Sequence, residues 1–209
     1  MRIAKEGYPL IFTGAVLAIA ATAAGWKLTG GGLGLTTAAI AAFFRDPERR
    51  IPEGEGLVVS PADGKVVSIA EFNGESPVAG AATRVSIFLS PLDVHINRLP
   101  VAGKIEEIRY QPGKFLAAYK EEASEQNEQN ALKIIDSQGR LFGVVQIAGV
   151  MARRIVCWAK AGDTLRRGER FGLIMFGSRT DLYLPRGCTV EIREGQRVKG
   201  GETVLGRFV

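Results

Sequence analysis

Histidine occurs once in this 209-residue chain, at His95. It lies in Ser90-Pro91-Leu92-Asp93-Val94-His95-Ile96-Asn97-Arg98, directly after a run that reads as a buried strand. Asp63 sits in Ser60-Pro61-Ala62-Asp63-Gly64, and Ser178 follows Gly177 at the end of the apolar run Phe171–Phe176. Taken singly, these are a lone histidine and two turn signatures. Taken together they supply an acid, a base and a hydroxyl. A serine oxygen becomes a nucleophile when an imidazole takes its proton, and a carboxylate can hold that imidazole in a productive state. The Gly-x-Ser-x-Gly elbow of α/β-hydrolases is absent around Ser178.

The elements that must position these groups read as β. After the polar segment 45–56, short apolar runs punctuated by glycine follow one another. They are 57–60, 65–70, 84–89, 103–110, 132–136, 141–147, 155–159, 171–175, 181–184, 189–192 and 203–208. The one stretch with helical character past residue 44 is 114–125. Residues 121–130 (EEASEQNEQN) are polar enough to read as a solvated loop, with a lid as the functional alternative. Two internal echoes stand out. Residues 161–172 resemble 194–206, and Pro61–Val66 resembles Pro100–Ile105. Such echoes suit a barrel-sandwich of the biotinyl/lipoyl kind, although Gly-Lys-Val turns occur in many β proteins.

Hydrophobicity is concentrated at the N-terminus: residues 1–44 hold 27 apolar side chains and four charges, Arg2, Lys5, Glu6 and Lys27. Leu10–Trp26 and Leu28–Phe44 are uncharged runs at the short end of what spans a bilayer. Lys27 and Gly30-Gly31-Gly32 suggest a turn between two helices, and Ala and Gly allow close packing. The basic flanks put both ends on the cytosolic side of a cell membrane. A signal peptide or a buried hairpin would share much of this pattern. The expected division is a hydrophobic hairpin (1–44), a linker (45–56) and a catalytic β domain (57–209). The net charge of +5 falls to +3 for residues 45–209, with no nucleic-acid motif, so nucleic-acid binding is not expected. Cys157 and Cys188 have no metal-ligand spacing and are expected reduced, and no metal site is expected. Arg153 and Arg154 are candidates for phosphate recognition through bidentate hydrogen bonds, or else face solvent.

Residues 43–49 (FFRDPER), 60–66 (SPADGKV), 90–98 (SPLDVHINR) and 170–179 (RFGLIMFGSR) together resemble the phosphatidylserine decarboxylases, in particular their short prokaryotic branch, over roughly residues 43–209. The resemblance implies a proenzyme that cuts itself between Gly177 and Ser178. The products are a β chain (1–177) and an α chain (178–209) that begins with a pyruvoyl group made from Ser178. It implies His95 as the base, oriented by Asp63. It also implies phosphatidylserine as substrate, bound through a Schiff base and converted to phosphatidylethanolamine and CO2 without pyridoxal phosphate or metal. A homodimer at the bilayer is implied as well. Two other readings keep the same residues. A lipoyl- or biotinyl-like carrier or membrane adaptor would need a modifiable lysine, for which Lys65 is the candidate. A membrane-anchored Ser-His-Asp hydrolase would use Asp63, His95 and Ser178 without self-cleavage.

Overall fold

The computed structural model describes residues 2–72, 80–114, 126–149, 154–175 and 178–208. The chain separates into two compact units, residues 1–48 and 49–209.

The first unit is a helical hairpin. Strand β1 (Arg2–Ile3) pairs with β2 (Arg45–Asp46) and closes its base. A 3-10 turn (Lys5–Gly7) leads into α1 (Tyr8–Ala23), and α2 (Lys27–Phe43) returns. The reversal is not at the triple glycine. It is a Schellman turn in which Gly25 N–H donates to Thr22 O (3.0 Å) and Trp26 N–H to Ala21 O (2.9 Å). Gly30, Gly31 and Gly32 lie inside α2. Gly30 is there for contact: a Cβ on it would stand 2.0 Å from Thr22 Oγ1. The outward side chains are apolar, with Phe12 at 73% and Ile19 at 70% exposure. The Lys5–Ala23 stretch is long and apolar enough to cross a bilayer.

The second unit is mainly β, as its glycine-punctuated runs imply. In chain order its strands are β3 (Leu57–Val59), β4 (Gly64–Glu71), β5 (Ala81–Leu89), β6 (Ile96–Arg98), β7 (Gly103–Gln111), β8 (Gln129–Ile135), β9 (Leu141–Ala148), β10 (Arg154–Cys157), β11 (Thr164–Leu165), β12 (Arg170–Met175), β13 (Ser178–Pro185), β14 (Thr189–Val190), β15 (Arg197–Val198) and β16 (Val204–Arg207). An antiparallel sheet runs β11-β7-β8-β9-β13-β5-β4-β15. Two three-stranded sheets, β10-β12-β6 and β14-β16-β3, complete the unit. Val66, Ile87, Leu132, Val144 and Leu182 of the large sheet form one core with Val58, Leu205 and Phe171.

Residues 49–56 do not behave as a free linker. The Arg167 guanidinium donates to the carbonyls of Pro52 (2.5 Å), Gly54 (2.9 Å) and Leu57 (3.3 Å), and Arg49 is buried within the second unit. The expected helical stretch 114–125 lies, beyond Lys114, outside the described residues. The polar run 121–130 is a loop in name only over its described part. Asn127 and Asn130 are buried, and Gln129-Asn130 opens β8.

The two sequence echoes are two copies of one construction. Gly162 N–H donates to Ile105 O (2.8 Å) while Ile105 N–H donates to Asp163 O (2.9 Å). Gly195 and Val66, with Gln196, repeat the pair at 2.8 and 2.9 Å. Thr164-Leu165 then pairs with Lys104-Gly103 as Arg197-Val198 pairs with Lys65-Gly64. Gly168 N–H closes one copy on Leu99 O and Gly201 N–H the other on Ser60 O, both at 2.8 Å. In both, the glycine opening the long strand brings two backbones together. A Cβ would meet Phe88 O at 2.1 Å on Gly64, where φ is +150°, and Ile135 O at 2.5 Å on Gly103. Gly64→Ala is therefore expected to cost about 1–3 kcal/mol, read as a lower thermal midpoint of the uncleaved chain. Where one copy carries Ala102 before its glycine, the other carries Asp63.

Candidate active site

Asp63 is held by two segments distant in sequence. Arg49 Nη2 donates to both carboxylate oxygens, at 3.0 and 2.8 Å, and the Gly200 N–H donates to Oδ1 at 2.8 Å. Gly200 can come so close because it has no side chain: a Cβ there would sit 3.2 Å from the Ala62 carbonyl carbon and 3.3 Å from Asp63 Oδ1. Arg49 also reaches Glu202, Nη1 to Oε2 at 3.6 Å. The side chains of Arg49 and Asp63 are 7% and 14% exposed. Burial pushes the Asp63 carboxyl above its ordinary 3.8, Arg49 and the Gly200 N–H pull against that, and the Asp93 carboxylate adds to the rise. A carboxyl with a raised native pKa contributes stability below its unfolded pKa and loses it as pH rises through the native value. The ionised form that proton chemistry needs is therefore the form that costs stability.

His95 precedes β6 and is buried, at 2% exposure. Its Nδ1 lies 2.9 Å from the Asp93 carbonyl oxygen, and its own carbonyl accepts the Ile174 N–H at 3.2 Å. The Asp63 turn is stitched to the same strand: Arg98 N–H donates to Pro61 O at 2.9 Å, and Asn97 Nδ2 reaches that oxygen at 3.4 Å.

Ser178 does not end a strand, as its Gly-Ser context suggests. It opens β13, opposite Leu89 of β5 and Ala148 of β9. It is fully buried, and its Oγ has no hydrogen-bond partner among the described residues. A buried hydroxyl without a partner is costly and calls for an explanation, of which a reactive role is one; the Ser86 hydroxyl is in the same condition. Gly177 and Arg153 lie outside the described residues. Arg154 opens β10, exposed, opposite Met175.

The inner face of the large sheet changes character along β13. Leu182 and Leu184 join the apolar core, whereas Ser178 and Thr180 belong to a polar end. There Asn130 Nδ2 donates to Gln146 Oε1 (3.0 Å), Gln146 Nε2 to Asn97 Oδ1 (2.9 Å), and Asn97 Nδ2 to Thr180 Oγ1 (3.1 Å). This chain ties β6 to β13; two residues before Asn97 in sequence is His95, just ahead of β6, and two before Thr180 is Ser178, at the start of β13. Sequence reasoning assigned none of these amides, nor Arg49 and Gly200. The usable signal was Gln146 inside the apolar run 141–147, since a fully buried amide needs a partner. Arg49 was legible as a basic flank and as part of the 43–49 stretch, not as a partner of Asp63. Lys65 is mid-sheet, between β5 and β15, rather than at the hairpin tip a carrier requires. Both cysteines are free thiols, and burial pushes the Cys188 thiol up to about 11, away from thiolate chemistry.

Residues 36–206 match the family model described as phosphatidylserine decarboxylase. Several similar proteins bear the name phosphatidylserine decarboxylase proenzyme. That of Symbiobacterium thermophilum is 49% identical over 206 residues, covering 99% of this chain and 95% of that protein. That of Desulfotalea psychrophila is 41% identical, covering 99% and 97%. That of Syntrophus aciditrophicus is 49% identical over 166 residues, covering 79% and 78%. With the match running through the Asp63 turn, the His95 strand and the Ser178 strand in one order, the chain belongs to the phosphatidylserine decarboxylase family.

Proposed function

We propose that this chain is made as a precursor, cuts itself before Ser178, and thereby becomes a pyruvoyl-dependent decarboxylase turning phosphatidylserine into phosphatidylethanolamine and CO2. The observation that supports the self-cleavage is the Ser178 hydroxyl, buried at the head of a central strand with no hydrogen-bond partner among the described residues. His95 takes the Ser178 proton. The oxygen attacks the carbonyl carbon of Gly177, and the acyl group moves from nitrogen to oxygen, giving an ester. Loss of the α-proton of residue 178 then expels the Gly177 carboxylate. The dehydroalanine left behind takes up water and releases ammonia, leaving the pyruvoyl group at the new N-terminus. Ionised Asp63, held by Arg49, supports the cationic imidazole by its charge.

The site suits that group. The position from which it forms is enclosed, at the polar end of the large sheet. A pyruvoyl ketone supplies the electron sink for loss of CO2. The residues of this chain do the rest: β5 and β9 hold position 178 from both sides, and His95 is the group that moves the protons. Retention of the short fragment is supported by its weave through the fold. Segment 178–209 contributes β13 to the centre of the large sheet, β15 to its edge and two strands to a third sheet. The exposed apolar hairpin is compatible with anchoring at the bilayer that contains the lipid substrate, and the basic residues at its two ends support a cytosolic catalytic unit. Arg153 and Arg154 are proposed to meet the lipid phosphate.

The intact mass of the purified protein tests the reading. Two fragments, 1–177 and 178–209, are expected, the shorter resistant to N-terminal sequencing. A single full-length chain that decarboxylates phosphatidylserine would overturn it.

A further inference from the structure

We propose that the Ser90–Asp93 turn, pinned by Arg197, fixes the proton of neutral His95 on Nδ1 and so makes Nε2 the basic nitrogen, with Asp93 as a positioning residue. The turn is closed three times. Asp93 N–H donates to Ser90 O at 2.9 Å, while Ser90 N–H and Ser90 Oγ–H both donate to Asp93 Oδ2, at 2.9 and 2.7 Å. The other carboxylate oxygen pairs with the Arg197 guanidinium. Asp93 is thus held at both side-chain oxygens and at its backbone nitrogen. Its remaining polar atom, the carbonyl oxygen, faces His95 Nδ1 at 2.9 Å.

A carbonyl oxygen only accepts hydrogen bonds, so a neutral imidazole in this contact must carry its hydrogen on Nδ1. The backbone that carries the ring is fixed too, because the His95 carbonyl takes the Ile174 N–H. In the usual serine-histidine-acid arrangement a carboxylate does this work. Here a backbone carbonyl does it, and the carboxylate of the same residue locks the turn that presents that carbonyl. Asp63 is left to act by charge, in keeping with its bonds to Arg49 and Gly200. Arg197 belongs to segment 178–209 and Asp93 to 1–177, so the lock spans the two products and preserves the His95 geometry after the cut.

The inference rests on His95 being the base at Ser178, and its test is separable from that reading. Because His95 is the only histidine, a full-length Ser178→Ala precursor labelled with 15N-histidine gives two ring-nitrogen resonances that need no assignment among sites. Above the histidine pKa, Nδ1 is expected to bear the proton and Nε2 to be bare. Adding Asp93→Ala should move the pair toward a tautomer average. In the chain that retains Ser178, Asp93→Ala is expected to slow self-cleavage on the order of 100-fold, and Arg197→Gln by less. A proton found on Nε2 in the Ser178→Ala precursor would overturn the inference outright, whether or not Asp93→Ala folds. So would resonances unchanged by Asp93→Ala. If His95→Gln cleaves at the normal rate, the role of His95 at Ser178 fails instead, while the nitrogen spectrum still decides how the ring is held.

Discussion

Ser178→Ala is expected to leave the 209-residue precursor whole, with no 32-residue fragment on a gel and decarboxylation of phosphatidylserine at background. The physical reason is that one oxygen is used in three ways. It attacks the preceding carbonyl, carries the acyl group as an ester, and leaves with that group in the elimination. Alanine offers no atom for any of these, and no neighbouring water can substitute, because hydrolysis of the same peptide bond would yield an N-terminal serine or alanine rather than a ketone. The substitution should not be confused with unfolding. The Ser178 hydroxyl is buried without a partner among the described residues, so removing it relieves a desolvation cost. The variant should melt no lower than the uncleaved parent and up to about 1–2 kcal/mol more stable. Two fragments from the alanine variant, or a full-length alanine variant that still releases CO2, would remove Ser178 from the chemistry.

The largest loss of stability is expected from Arg179→Ala, one residue along the strand and on its opposite face. Arg179 Nε donates to Asp181 Oδ1 at 2.7 Å and Nη2 to Oδ2 at 2.6 Å, with side-chain exposures of 3% and 0%. Cutting away the guanidinium strands a carboxylate in the middle of the eight-stranded sheet, which costs about 3–5 kcal/mol. Burial and that same carboxylate already push the Tyr183 hydroxyl up to about 12, a sign of how poorly this face tolerates added negative charge. For a unit of this size the melting midpoint should fall by roughly 6–20 °C, measured in the Ser178→Ala background so that cleavage does not intervene. The double change Arg179→Met with Asp181→Leu should recover most of the loss, because a buried pair replaced whole is close to neutral. If the single variant melts normally, the pair contributes nothing net. If the double variant is as unstable as the single, the guanidinium matters through its other contacts rather than through Asp181.

The chemistry of this chain was readable in short, contiguous stretches, because a turn and the residue it presents are set by neighbours in sequence. Asp63 before Gly64, His95 after the Ser90–Asp93 turn, and Ser178 after Gly177 are each local features. Strand content was equally legible, since alternation and glycine punctuation are local. The paired echoes pointed toward a barrel-sandwich of short strands before any contact was known. The short strands Ile96–Arg98, Thr164–Leu165 and Arg197–Val198 were not legible. Two or three residues carry no period, and each exists only because a partner strand completes its hydrogen bonds. The hairpin turn was misread for a related reason. A triple glycine is a turn signal in water, but inside a helix pair its lack of side chains serves close packing, and the reversal fell to Gly25 instead.

Sequence alone determined the residue types, their order and the mainly-β class, because those follow from side-chain chemistry and local backbone preference. It also determined the family, through four stretches in one order. The tertiary structure decided what surrounds each group. Arg49 and Gly200, 151 positions apart in the chain, converge on Asp63. The Asp93 carbonyl, rather than a carboxylate, meets His95 Nδ1. Three amides from β6, β8 and β9 converge near the head of β13. Burial and partnership are properties of folded neighbourhoods: a carboxyl is raised or held, and a hydroxyl left unpaired, by atoms that the linear order keeps far away.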